Sequence, residues 1–187
     1  MYNIKQNSNE RQEEIYGCDL TRKATIDDLD KIMSIVEDAR ALFKNDKIPQ
    51  WQGGYPDEER FKEDINNEEA YVLVVGDEVA GIGVLTTERQ ENYDAIEEGS
   101  WKRDDDYAAI HRAAISSKFR GMHLSNYLFS GLITIGVQKG YKDFRIDTHP
   151  GNERMKGLSE KFGFEKRGII YVDEKIEPIR YAYELNL

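Results

Sequence analysis

The stretch AAIHRAAISSKFRGMHLS, residues 108–125, predicts an apolar strand, a tight basic turn and the first turn of a long amphipathic helix. A helix N-terminus leaves four backbone N–H groups unpaired and carries the positive end of the helix dipole, so it binds phosphate well. Gly121 allows the turn to tighten, Arg120 supplies a fixed cation, and Ser125 adds a small hydroxyl. The stretch therefore indicates a phosphate-binding turn.

The elements predicted after this turn come in an informative order. A second strand covers residues 142–148, and Asn152 opens a short helix that stops near Gly163 and Phe164. Strand, phosphate-type turn, helix, strand and Asn-led helix, in this order, resemble the GNAT superfamily of acetyl-CoA-dependent N-acetyltransferases. Two further stretches resemble a small bacterial subgroup of it: IPQWQ at 48–52 with YP at 55–56, and RIDTHP at 145–150.

The resemblance covers roughly residues 20–187 and implies a single α/β (α+β) domain. The implied fold has a central mixed twisted sheet, a V-shaped splay between its two middle strands, and helices on both faces. We therefore divide the chain into a polar N-terminal extension, residues 1–16, and an N-acetyltransferase domain, residues 17–187. A chain of 187 residues is long enough for one well-filled domain.

The resemblance also implies where acetyl-CoA binds. Main-chain groups of the central strand would hold the pantetheine arm and the thioester, and the basic turn would hold the pyrophosphate. Asn152 would reach the pantetheine arm, or serve only as the N-cap of its helix, and the two roles are compatible. The residues implied to contact acetyl-CoA are Ala113, Ala114, Ile115, Arg120, Gly121, Met122, His123, Leu124, Ser125, Asn126 and Asn152.

Three positions depart from the pattern of the superfamily. His123 and Ser125 stand where the turn usually carries Gly and Gly or Ala, and His123 places a side chain where the backbone approaches phosphate. Ser159 stands where many members carry the Tyr that protonates the departing thiolate. A serine hydroxyl has far too high a pKa for that task. The thiolate therefore leaves unassisted, or Tyr171 or Tyr107 replaces the usual acid.

The base that takes the proton of the amine has several candidates. His111 lies on the central strand, and an unperturbed pKa near 6.5 suits a proton acceptor. Strict alternation places it on one face with Tyr107, Ala109, Ala113 and Ile115. A buried histidine paired with a carboxylate explains the residue equally well. Glu88, or a chain of water molecules, is the rival base.

The acceptor site is expected near the connection between the first two helices and the open end of the sheet. Trp51, Tyr55 and Tyr107 are the candidate aromatic residues, and stacking on such rings suits an apolar or cationic acceptor. His149 follows the second strand, where the cleft should open. Packing in the core explains Trp51 about as well. Three scattered histidines and one cysteine give no zinc-type spacing, so no metal is predicted.

Composition limits the partners and the compartment. The net charge of −10 argues against nucleic acid, which needs a basic face. The single cysteine, Cys18, allows no intrachain disulfide and is interpreted as a small hydrophobic residue. We find no stretch of the ~20 apolar residues that a membrane span needs and no apolar signal core. These features predict a cytoplasmic protein without membrane partners. They are compatible with either a monomer or a homodimer.

Apolar periodicity and turn residues predict the remaining elements. Residues 20–24 form a first strand, Thr25 caps a helix, and a second helix covers residues 57–66. A hairpin covers residues 71–85, and residues 88–106 form a charged linker that is too polar to be core. The later elements are a helix at 122–139 and two strands at 165–172 and 179–185, antiparallel to each other.

The resemblance implies transfer of an acetyl group from acetyl-CoA to a primary amine of a small molecule, by direct attack in a ternary complex. The alternative within the same class is acetylation of a protein N-terminus or lysine. From a different class, a non-catalytic sensor of acetyl-CoA remains an alternative because of Ser159 and His123.

Overall fold

The structure is a computed structural model that describes residues 20–173 and 177–187. The predicted extension over residues 1–16, and Cys18, lie outside the described residues. The strands are β1 (Leu20–Lys23), β2 (Ala70–Val75), β3 (Glu78–Thr86), β4 (Tyr107–Ile115), β5 (Asp143–Thr148), β6 (Glu165–Tyr171) and β7 (Ile179–Asn186). The α-helices are α1 (Leu29–Asn45), α2 (Glu58–Asn66), α3 (Glu91–Asp94), α4 (Leu124–Gln138) and α5 (Glu153–Lys161), and short 3-10 helices cover Ile26–Asp28 and Ser117–Phe119.

Three of the predicted helix starts are confirmed by their caps. Thr25 and Asp28 form a capping box ahead of α1. Asp57 accepts a hydrogen bond from the Arg60 N–H at the start of α2, and Asn152 caps α5 in the same way. Each cap satisfies an N–H group that has no partner inside its helix.

All strands join one sheet in the order β1-β2-β3-β4-β5-β7-β6. Every neighbouring pair is antiparallel except β4 and β5, which are parallel. The predicted mixed sheet and the predicted antiparallel pairing of the last two strands are therefore confirmed.

The two middle strands separate soon after they meet. β4 and β5 pair over three positions, from Tyr107 opposite Asp143 to Ala109 opposite Arg145. On its other side β5 pairs with β7 along its whole length, from Asp143 to Thr148, so the pairing with β4 ends while β5 continues. This is the predicted V-shaped splay, and it opens a gap at the C-terminal ends of both strands.

A β-bulge in β4 changes which side chains share a face. The register between β3 and β4 shifts between Ile82 and Val84, and Arg112 adopts a left-handed φ of 49°. Ala113 and Ile115 therefore pack on the α4 side of the sheet. The predicted alternation, which placed them on one face with His111, is wrong because a bulge adds one residue and reverses the order of faces.

The core lies on both faces of the sheet. On one face α4 packs against the middle strands through Leu124, Leu128, Phe129 and Leu132. On the other face α1 and α2 cover β2 and β3 through Ile32, Ile35, Val36 and Phe61. Helical spacing of apolar residues was the basis on which these helices were predicted.

The prediction that residues 88–106 form a charged linker too polar to be core is wrong. Tyr93 in α3 is fully buried, stacks on Tyr107 at 5.7 Å between ring centroids, and lies 5.3 Å from the Trp101 ring. Glu97 forms an isolated antiparallel bridge with Ile169 of the edge strand β6. The aromatic residues bury enough apolar surface to dock a segment whose other residues are mostly polar. None of the helices in the described part of the chain is long and apolar enough to cross a membrane.

Candidate active site

Two cavities meet where β4 and β5 separate. The splay cavity, about 480 Å³, lies between the open ends of these strands and is bounded by α2 and residues 86–92. The turn cleft, about 370 Å³, runs along the turn between β4 and α4. The residues that line both cavities are Phe43, Ala113, Phe129, Asn152 and Met155. The two cavities are therefore neighbouring parts of one site.

The basic turn has the geometry of an anion site. Gly121 has a φ of 85°, and His123 has a left-handed φ of 56° immediately before α4 begins. The N–H groups of Gly121, His123, Leu124 and Ser125 donate no hydrogen bond within the described residues. Unpaired N–H groups at a helix start attract phosphate.

Arg120 is a basic residue of this turn that forms no ion pair with an acidic residue in the described part of the chain. Its side chain is exposed, lines the turn cleft, and makes no ion pair with any residue that the structure describes. Lys118, two residues earlier, pairs instead with Glu78. Arg120 thus has its guanidinium available for a ligand in the cleft.

The turn is attached to both neighbouring elements. The Ser117 N–H donates to Asp38 of α1 at 2.9 Å, and the Ser116 N–H donates to the Ala80 carbonyl at 2.9 Å. These bonds attach the turn to α1 and β3.

The structure places nine of the eleven residues predicted to contact acetyl-CoA in the turn cleft. Met122 and Asn126 are the other two. Met122 packs against the core beside α4, and the Asn126 side-chain oxygen accepts a hydrogen bond from Lys161 at 2.9 Å. The nine that line the cleft are Ala113, Ala114, Ile115, Arg120, Gly121, His123, Leu124, Ser125 and Asn152.

Asn152 combines a cap with a place at the junction of the cavities. Its side-chain oxygen accepts from the Met155 N–H at 3.2 Å, as an N-cap does. Its side-chain amide donates to the Gln50 side-chain oxygen at 3.3 Å, which links α5 to the connection between α1 and α2. Gln50 lies in the IPQWQ stretch, but its pairing with a residue 102 positions away could not be inferred from that stretch.

His111 is half-buried in a polar cluster at the wall of the splay cavity. Its Nε2 lies 2.7 Å from the Gln90 side-chain amide nitrogen, and its Nδ1 lies 3.6 Å from Asp147. The Tyr93 hydroxyl donates to the same Asp147 oxygen at 2.9 Å. Because Gln90 donates, His111 Nε2 accepts, and the imidazole proton is on Nδ1, toward Asp147.

Burial lowers the pKa of His111 from 6.5 to about 3, and the nearby charges of Arg112 and Arg60 lower it further. The imidazole is therefore neutral at physiological pH. A base with so low a pKa is a weak proton acceptor.

A buried carboxylate connects α2 to the bulge of β4. Asp64 is fully buried, and its Oδ1 accepts hydrogen bonds from Arg60 at 2.6 Å and from Arg112 at 2.9 Å. Arg112 also donates to the Tyr55 hydroxyl at 2.7 Å. Asp64 and both arginines were not among the predicted site residues, because a charged residue in an amphipathic helix gives no sign that its partner lies on a distant strand.

Four of the predicted catalytic and acceptor residues line the splay cavity and three do not. Trp51, Tyr55 and Glu88 line it together with His111. Tyr107, His149 and Tyr171 line neither cavity.

The reasons differ among these three residues. Tyr107 turns inward onto Tyr93, and its hydroxyl accepts from the Gln90 N–H at 2.9 Å. His149 accepts from the Gly151 N–H and contacts Glu177 at 2.9 Å. Tyr171 is 48% exposed on the edge strand β6.

Ser159 is fully buried inside the fold. Its hydroxyl donates to the Met155 carbonyl at 2.9 Å, within the same helix. It lines neither cavity. In the part of the chain that the structure describes, we also find no group of three or more His, Cys, Asp or Glu side chains that could hold a metal ion.

Proteins of known family and structure match most of this chain. Residues 36–164 match the family model of the acetyltransferase (GNAT) family. A solved GNAT-family acetyltransferase from Streptococcus agalactiae 2603 is 34% identical; the match covers 90% of this chain and 95% of that one, with a TM-score of 0.81. No protein among those of curated function matches the sequence.

More distant structures share the fold alone. The ribosomal-protein-alanine N-acetyltransferase of Brucella melitensis is 18% identical over 90% of this chain and 99% of that one, with a TM-score of 0.66. A GNAT-family acetyltransferase from Listeria monocytogenes 4b F2365 is 21% identical over 90% and 95%, with a TM-score of 0.69.

Proposed function

Since the chain belongs to the GNAT family of acetyltransferases, we propose that it transfers the acetyl group of acetyl-CoA to a primary amine of a small molecule. The amine attacks the thioester directly while both substrates are bound. The observation that carries the proposal is the meeting of the two cavities at Ala113, Phe129 and Asn152. A donor in the turn cleft and an acceptor in the splay cavity would meet there.

The turn cleft fits acetyl-CoA by its chemistry. The unpaired N–H groups at the start of α4 and the guanidinium of Arg120 suit the pyrophosphate. The open space above Gly121 leaves room for close approach to its backbone. Leu42, Phe119 and Leu158 supply apolar walls for the pantetheine arm.

The splay cavity favours a small acceptor over a protein. Its volume of about 480 Å³ lies within the range of ordinary small-ligand sites. The hydrogen bond between Asn152 and Gln50 crosses from α5 to the connection after α1, and buried Trp51 adds to the same wall. A small amine needs no wide groove, whereas a polypeptide does.

The proton of the amine leaves through Glu88 or through water. Glu88 is exposed, lines the splay cavity, and forms no ion pair with another described residue. His111, whose low pKa weakens it as a base, instead holds Gln90 at the wall of the cavity. The departing thiolate leaves without Ser159, whose hydroxyl is bound inside α5.

Orientation of the two substrates supplies most of the catalysis. Holding the amine and the thioester in a near-attack geometry supplies roughly 7–11 kcal/mol without any special acid or base. The attached turn and the fixed junction residues favour such a geometry.

A panel of amines and peptides tests the proposal. Each compound is incubated with the protein and acetyl-CoA, and release of free thiol is measured. The proposal predicts release with at least one small primary amine. Release with peptides alone supports the protein acetyltransferase alternative. If acetyl-CoA binds and no amine or peptide gives release, the sensor alternative replaces the proposal.

A further inference from the structure

Thr148 has a buried hydroxyl without a partner. It ends β5, is 1% exposed, and lines the splay cavity. Its Oγ1 makes no hydrogen bond with any group in residues 20–173 and 177–187. Buried hydroxyls almost always have a partner, so such an exception requires an explanation.

Two other buried hydroxyls, those of Thr86 and Ser159, do have partners. Thr86 donates to the Glu69 carboxylate at 2.7 Å, and Ser159 donates to the Met155 carbonyl. Valine has the same shape as threonine and would fill the site of Thr148 without leaving a polar group unpaired. The hydroxyl of Thr148 therefore brings no benefit to the fold alone.

The position of Thr148 is close to the junction of the cavities. Thr148 follows Ile146 by two residues on β5, so the two share the face of the sheet on which Ile146 packs against the α4 core. Phe129 of that core and Asn152 line both cavities. The thioester carbon must reach this junction if an amine in the splay cavity is to attack it.

We propose that the Thr148 hydroxyl donates a hydrogen bond to the negative charge that develops on the thioester, and is thus a further catalytic residue. This inference rests on the proposed acetyl transfer. The amine nitrogen forms a bond to the carbonyl carbon, and the C–S bond then breaks with its electron pair leaving on sulfur. The ammonium proton goes to Glu88 or to water, and Thr148 keeps its own proton throughout.

Two variants separate the hydroxyl from the shape of the side chain. Thr148→Val removes only the hydroxyl, and Thr148→Ser keeps it. Steady-state rates with an amine that the parent acetylates, calorimetric titration with acetyl-CoA, and thermal unfolding are measured for all three proteins. The thermal midpoint detects a structural role, and the titration detects a change in donor binding.

We expect Thr148→Val to lower kcat on the order of 10²-fold, as loss of one donor to a developing oxyanion does. Its affinity for acetyl-CoA should stay within about twofold, since the bond forms only as charge develops. Its thermal midpoint should equal or exceed that of the parent, because the unpaired hydroxyl is gone. Thr148→Ser should keep kcat within about fivefold of the parent.

Three results would overturn the inference while leaving the proposed function intact. The first is an unchanged kcat in Thr148→Val, and the second is a rise in its KM for the amine alone. The third is a lower thermal midpoint together with equal losses of kcat in Thr148→Val and Thr148→Ser. A parent that binds acetyl-CoA but acetylates no amine overturns the proposed function and, with it, this inference.

Discussion

At the scale of single residues, Arg120 is the side chain on which the donor site depends most. Arg120→Ala should weaken acetyl-CoA binding by roughly 1.5–3 kcal/mol, the usual worth of a hydrogen bond to a charged group. The reason is that Arg120 lines the turn cleft without an acidic partner among the described residues. Calorimetric titration of the folded variant measures the loss.

Lys118→Ala is the matched control for this change. Lys118 lies on the same turn and has the same charge, but it pairs with Glu78 and does not line the cleft. We expect its affinity for acetyl-CoA to stay within about twofold of the parent, because a screened surface ion pair contributes little. Equal losses of acetyl-CoA affinity in both variants would mean that binding depends only on the total charge of the turn.

His111 gives the fold a dependence on pH. Its pKa is about 3 in the folded protein and about 6.5 in the unfolded chain. Between these values the unfolded chain binds the additional proton, so the free energy of unfolding decreases as pH falls below about 6.5. The loss attributable to this group approaches about 1.4 kcal/mol per pH unit.

His111→Gln tests this dependence and removes the titrating group. We expect the parent to lose stability relative to the variant as pH falls from about 7 to about 5, and the difference to be constant above pH 7. Urea unfolding at several pH values measures it. The pKa of Asp143, raised to about 6 by burial, adds an opposite dependence that is common to both proteins and cancels in the difference. Parallel stability curves would show that His111 titrates normally.

At the scale of elements, the bulge of β4 links the fold to the site. Arg112 adopts a left-handed φ of 49°, which non-glycine residues rarely do in a strand. Its ion pair with Asp64 of α2, at 2.8 Å between Nε and Oδ2, and its bond to Tyr55 hold it there. Strain of this kind persists where the surroundings fix it, and functional sites often contain it.

Substitution at this position should reverse the usual order of alanine and glycine in strands. Both Arg112→Ala and Arg112→Gly lose the ion pair, but glycine adopts a positive φ without cost. We therefore expect Arg112→Gly to be more stable than Arg112→Ala by about 1 kcal/mol in urea unfolding.

Arg22 of β1 provides the control for this comparison. It also forms an ion pair, with Asp28, but its φ is not positive. Arg22→Ala should be more stable than Arg22→Gly, as in an ordinary strand. If alanine were the better residue at position 112 as well, β4 would have no left-handed residue there.

At the scale of the whole molecule, features that depend on neighbouring residues were predicted better than features that depend on residues far apart in the sequence. The caps at Thr25, Asp57 and Asn152 and the turn at Arg120 depend on residues within a few positions of one another, and the sequence shows them directly. Helical and strand periodicity predicted the elements of the sheet and the helices on its faces for the same reason.

The parts that were missed depend on pairs far apart in the chain. Asp64 and Arg112 are 48 positions apart, and His111 and Gln90 are 21 apart. Residues 88–106 looked like a linker because most of them are charged, yet Tyr93 and Trp101 dock them onto the sheet. Composition does not show which few side chains of a polar segment pack against an apolar surface.

The central claim is that the turn cleft and the splay cavity hold donor and acceptor at the same time. The residues that line both cavities are Phe43, Ala113, Phe129, Asn152 and Met155, and they include no hydroxyl, thiol or carboxylate that could take up the acetyl group. Initial rates measured while both substrate concentrations are varied test the claim most directly. It predicts double-reciprocal plots that intersect, as a ternary complex requires. Parallel lines would contradict it, because they would show an acetylated enzyme formed before the amine binds.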